Sequence, residues 1–99
     1  MMETLDLPPV LDLVAAPGLL EAFNVRRGQD LAVDASAVQR LGAQCLQILL
    51  AARAAWAADG QELGLKAPSA EFSAALELMG ASPAQLTHQA TAAHKEQAA

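Results

Sequence analysis

Residues 31–56, LAVDASAVQRLGAQCLQILLAARAAW, decide how the rest of this chain is read. Leu31-Ala32-Val33 is apolar, partly β-branched and too short for a helix, so it reads as a buried strand. Asp34-Ala35-Ser36 closes it with turn-forming side chains. From Ala43 to Ala58 there is no Gly or Pro, and alanine and leucine dominate, which predicts a long helix. Leu46, Leu49, Leu50 and Ala54 form an apolar stripe, widened by Cys45, Ala52 and Trp56, with Gln47, Arg53 and Asp59 toward solvent. Asp59-Gly60 stops the helix.

Upstream, residues 3–11 (ETLDLPPVL) alternate at Leu5 and Leu7 and then break at Pro8-Pro9. Proline donates nothing to a ladder, so this is two short strands or one interrupted edge strand. Asp12 is a candidate N-cap for a helix carrying Leu13, Ala16, Leu19, Leu20 and Phe23 at helical spacing. Pro17 fits a start at Ala16 instead, in the first turn. Val25 to Asp30 is a polar turn. Downstream, Glu62 to Ala67 alternates as a strand, and Pro68 closes it. Ser69 caps a helix carrying Phe72, Ala75, Leu76 and Met79, with Glu71 in its first turn and Gly80 at its end. Residues 1–82 therefore form the domain. Residues 83–99, polar and alanine-rich, form a tail or one more weakly anchored helix. Strands alternating with helices imply an α/β fold with crossover connections.

Bulk properties narrow the function. A chain of 99 residues holds one small core, and its only aromatic residues are Phe23, Trp56 and Phe72. Small side chains suit close helix-on-sheet contact and leave little bulk for walling a deep ligand cavity, which favours an interaction module over an enzyme. The net charge of −5, with six Lys and Arg that adjoin only at Arg26-Arg27, disfavours nucleic acid and anionic membrane surfaces. No apolar run approaches the roughly 20 residues of a membrane span, and direct membrane insertion is not expected. The acidic start MMETLDLPP is unlike a signal peptide, and a single cysteine excludes an internal disulfide. A cytoplasmic protein is the expectation.

The strand, the VDASAV turn, the leucine-bearing helix after it, and LGLKAPS followed by LELMG resemble the STAS domain over residues 3–81. That family comprises anti-sigma-factor antagonists and the tails of sulphate transporters. The resemblance implies a small mixed, largely parallel sheet of about four strands with three to four helices. The strand common in the family after the last helix has no evident counterpart. In phospho-regulated relatives the helix starts with an Asp-Ser-Ser-Gly-like run whose hydroxyl is the switch. Here those positions read Gly42, Ala43, Gln44 and Cys45, and no Ser or Thr occurs between Ala37 and Pro68. Gln44 aligns with the switch position, so control by phosphate at that position is not expected.

The resemblance further implies a non-enzymatic protein-interaction module of a bacterial signalling system, anti-sigma-antagonist-like or chemotaxis-associated. Its partner would be an anti-sigma kinase or a chemotaxis component. An alternative is an accessory subunit on the ATPase of an ABC-type lipid transport complex. The expected contact residues are Asp34, Ser36, Gln39, Arg40, Gly42, Ala43 and Gln44. Asp34 and Ser36 lie at the carboxyl end of a strand, where parallel sheets meet ligands, yet both are also ordinary turn residues. Gly42, Ala43 and Gln44 either dock a partner or only provide the small residues that helix–sheet contact needs.

Other chemistry finds little footing. Cys45 stands at a helix start, which lowers a thiol pKa, but its spacing to Leu49 reads as core. His88 and His94 are off the i, i+4 spacing of helical metal ligands, and the acids are scattered without an acid–base pair. No cofactor is expected. Trp56 reads as core, with an exposed apolar patch as the other option.

Overall fold

The computed structural model describes residues 2–90. Strand β1 (Glu3–Asp6) is followed by the two-residue β2 (Val10–Leu11) and helix α1 (Ala16–Asn24). Then come β3 (Leu31–Asp34), β4 (Arg40–Leu41), α2 (Ala43–Ala58), β5 (Leu63–Lys66), α3 (Ala70–Leu78) and a short 3-10 helix (Pro83–Leu86). The α/β class is as the alternation of elements predicts.

β1, β3 and β5 form a three-stranded parallel sheet in the order β1-β3-β5, with Leu5 beside Val33 and Val33 beside Leu65. The Pro8-Pro9 break splits the N-terminal stretch in two, because β2 leaves this sheet and pairs in parallel with β4. Among the described residues, antiparallel character is confined to one bridge, where Leu63 and His88 exchange N–H···O bonds of 2.8 and 2.9 Å. Where the sequence shows no evident strand after the last helix, the described residues hold this single bridged pair. Just before it, Leu86 is buried, and Arg53 Nε donates to Thr87 O at 3.0 Å.

Strand alternation sends Leu5, Leu7, Leu31, Val33 and Leu63 into one core with Ala16, Leu19 and Phe23 of α1. α2 adds Cys45, Leu46, Leu49, Ala52 and Trp56, and α3 adds Phe72 and Leu76. No charged or polar residue is buried among the described residues. Trp56 satisfies its indole by donating from Nε1 to Gln29 O at 2.8 Å, and meets Phe23 edge-to-face at 5.8 Å. Truncating such a side chain to alanine costs about 3–5 kcal/mol.

Two helical stripes differ from the sequence reading. α2 buries Cys45, Leu49, Ala52 and Trp56, whereas Leu50 and Ala54 are exposed. Alanine on every side of this helix removes the contrast that would mark its inner face. α1 buries Ala16, Leu19 and Phe23 but leaves Leu13 and Leu20 at 70% and 48% exposure. Asp12 does not cap α1 itself. Its carboxylate accepts from Ala15 N–H at 3.0 Å and shapes a turn, and the helix starts at Ala16 with Pro17 in its first turn. Leu13 therefore belongs to a turn, not to the helical stripe. Gly60 (φ 69°) and Gly80 (φ 77°) end α2 and α3 in left-handed turns closed by Gln61 N–H to Trp56 O and Ala81 N–H to Leu76 O, each 2.9 Å.

Candidate functional site

The segment from Asp34 to Gln44 connects the middle strand to the long helix, and each part of it has an identifiable anchor. At the end of β3, Asp34 stands beside Asp6 and Lys66 in the sheet register. Its carboxylate accepts from Ser36 N–H at 2.8 Å, forming an Asx turn. Hydrogen bonding from the Ser36 hydroxyl and N–H holds the Asp34 carboxyl below the ordinary carboxylate range, and Lys66 adds a smaller pull. Ser36, Gln39 and Arg40 are exposed. Gln39 and Arg40 both donate their N–H groups to Pro9 O, at 2.7 and 3.1 Å. The Pro9 carbonyl thereby joins this loop to the β2–β4 pair, in which Arg40 stands opposite Val10.

Gly42 N–H donates to Leu11 O at 2.8 Å, and a Cβ at position 42 would stand 3.4 Å from the same oxygen. The small residue expected here has a local reason, the close approach of β2. Its φ of −94° makes no demand for glycine. No side chain caps α2, and its first turn carries no acid. Ala43 and Gln44 are exposed on this tip, so the first backbone N–H groups and the positive end of the helix dipole face outward. Asp34 and Ser36 form a separate turn upstream along the same connection.

Beside the tip lies a cleft of about 390 Å³ lined by Leu13, Ala16, Pro17, Leu20, Gln44 and Ile48. Leu13 and Leu20 are its exposed apolar walls, and Val14 next to them is 87% exposed. Sequence reasoning assigned Leu13 and Leu20 to a buried stripe and so missed this flank. The signal that could have revealed it was Pro17, which delays the helix and releases Leu13 and Val14 into the turn.

Cys45, one residue further, is fully buried. Its Sγ–H donates to Asp12 O at 3.4 Å, and burial, with the Asp12 charge, pushes the thiol up from its ordinary value. Burial outweighs the helix start, and Cys45 is a core residue. His88 places Nδ1 2.8 Å from Gln61 O, a contact that requires Nδ1 to carry the proton. His94 lies outside the described residues. Among the described residues, no three His, Cys, Asp or Glu side chains gather as metal ligands, and no helix is long and apolar enough to cross a membrane.

A three-stranded parallel sheet, a crossover helix with an uncapped tip, and an apolar flank beside that tip define a small α/β interaction domain. Residues 3–87 match the family model described as "Mlab, STAS domain", and the chain belongs to the STAS-domain family. Domains of this family are generally non-enzymatic modules that mediate protein–protein contact. No curated protein and no solved structure matches the chain.

Proposed function

We propose that this chain is a non-enzymatic docking module of a bacterial regulatory system, holding a protein partner without a phosphorylation switch at the start of α2. The support is the character of that start. It is uncapped and uncharged through Gly42, Ala43 and Gln44, with Ala43 and Gln44 exposed, without a hydroxyl from Ala37 to Pro68, and flanked by Leu13 and Leu20. Asp34, Ser36, Gln39 and Arg40, on the connection that leads into this start, are the polar residues this reading adds to the contact. An anti-sigma kinase or a chemotaxis component is the partner class this reading assigns.

A second reading, an accessory subunit on the ATPase of an ABC-type lipid transport complex, draws on one property of the face. An apolar, unswitchable surface suits permanent association. Co-purification from the native cell separates the two, by recovering a signalling protein or an ATPase.

With the co-purifying partner in hand, Gln44→Asp tests the face itself. A carboxylate there mimics part of the charge a phosphate would add. It is expected to weaken calorimetric affinity by about tenfold, or about 1.4 kcal/mol. Unchanged affinity removes the α2 tip from the interface. Incubation with an anti-sigma-type kinase and ATP is expected to leave residues 37–68 unmodified. An intact-mass gain localised to that segment defeats the unswitched reading.

A further inference from the structure

The two edges of the β1-β3-β5 sheet are finished differently. At the β5 edge, Leu63 is bonded to His88 in both directions. At the β1 edge, no described strand lies outside Glu3–Asp6. Leu7 N–H donates inward to Asp34 O at 2.9 Å. Backbone groups alternate along a strand, so Leu5 shares that inward direction while Thr4 and Asp6 turn their N–H and C=O groups outward. Beside this edge is a mostly apolar cleft of about 300 Å³ between β1 and α1, lined on the helix side by Ala15, Gly18, Leu19 and Ala22 and on the strand side by Leu5, Asp6, Leu7 and Pro8. Gly18 leaves space there, since a Cβ at that position would meet nothing within 4 Å.

We infer that the β1 edge accepts an extended segment of a basic protein partner as an added strand, with alternate apolar side chains entering the cleft against α1. Each element of the geometry has a role in this. Outward N–H and C=O groups of Thr4 and Asp6 supply the ladder bonds, and the cleft supplies side-chain selection, as in strand addition to a sheet edge beside a helix. The acids set the charge. Glu3 faces the α1 side, where Arg26 Nε lies 3.0 Å from its carboxylate, but Asp6 is exposed and has no ion pair among the described residues. A Lys or Arg on the incoming strand opposite Asp6 gives a favourable cross-strand pair, and its two neighbours then point into the cleft. The chain's own charge of −5 attracts the same partner at long range.

A second copy fits the edge poorly. The antiparallel self-pairing that sets Thr4 against Asp6 of the other copy brings the two Asp6 carboxylates diagonal, about 7–8 Å apart. The register that sets Asp6 against Asp6 is worse. Acidic residues on an exposed edge deter self-association and leave the edge open to a cation-bearing strand.

The test uses the full chain and two fluorescein-labelled peptides, one alternating Lys with Val and one alternating Glu with Val, read by anisotropy. The Lys–Val peptide is expected to bind at least about tenfold more tightly. Asp6→Lys is expected to reverse that preference. Thr4→Pro removes an outward N–H and no inward ladder bond, so it is expected to lower affinity about tenfold with the circular dichroism spectrum retained. Should Thr4→Pro disturb folding, Gly18→Leu fills the cleft from an open helical position, and is expected to block the peptide while raising the melting temperature. Amide exchange should slow at Thr4 and Asp6 on peptide addition. Absence of binding up to about 1 mM overturns the inference, as does binding indifferent to both Thr4→Pro and Gly18→Leu. Sedimentation showing a dimer that Thr4→Pro dissolves overturns it in favour of a second copy.

Discussion

Two helices each follow a short strand, α2 after β4 and α3 after β5, and their first turns are built in opposite ways. At α3, the Ser69 hydroxyl accepts from Phe72 N–H at 3.0 Å and itself donates to Val38 O, while Ser69 N–H donates to Ala35 O. Glu71 adds an acid in the first turn. That start is capped, charge-matched and stitched to the turn after β3. At α2, there is no cap and no acid, Gly42 provides only close approach to Leu11, and apolar side chains stand exposed alongside. One start satisfies its backbone internally; the other leaves donors and apolar surface for something else to meet.

The largest expected effect falls on the capped start. Ser69→Ala removes the α3 cap and leaves Val38 O without its donor, so denaturant unfolding should report a loss of about 1–2 kcal/mol. A loss no larger than that of Gln44→Ala would erase the contrast between the two starts. Next comes Ala67, held at φ 51° immediately before Pro68 and Ser69. A non-glycine residue pays to adopt that left-handed backbone, so Ala67→Gly is expected to stabilise by about 1 kcal/mol. A destabilised variant would show that the turn gains more from the alanine methyl than it loses to strain.

Gln44→Asp carries a smaller and opposite expectation at the bare start. A carboxylate at the positive end of α2 should raise stability by about 0.3–1 kcal/mol while weakening partner binding. Movement of both quantities in one direction would indicate a folding effect in place of a docking one. The smallest effect is electrostatic. Asp34 is held below its unfolded value of about 3.9, so its contribution is present above that pH and fades as pH falls through the lower folded value. Asp34→Asn should flatten the acid limb of the stability profile below about pH 4 and slightly lower stability at neutral pH, where the charged form contributes. An acid limb of unaltered slope would assign that pH dependence to other carboxylates.

Much of this was legible in the residues. The unbroken run from Ala43 to Ala58, the Ser69 cap and the stops at Gly60 and Gly80 are local signals, and each marks a boundary of an element or lies within two residues of it. The absence of a hydroxyl at the α2 start is likewise a property of the chain alone. The apolar flank was not legible. Leu13 and Leu20 sit at spacings that serve a buried stripe equally well, but the late start of α1 leaves Leu13 in a turn, and the helix buries Leu19 and Phe23 with Leu20 outside that face.

Local chemistry thus determined the order of elements, their caps and the uncharged α2 tip, because caps, turns and helix propensity act within a few residues of themselves. Tertiary structure decided the rest: which side of the alanine-rich α2 faces inward, that β2 leaves the main sheet to pair with β4, and that β1 stands at an edge of the sheet with no described strand beyond it. Those outcomes depend on contacts between segments far apart in the chain. An alanine or leucine carries no local mark of which neighbour it will meet.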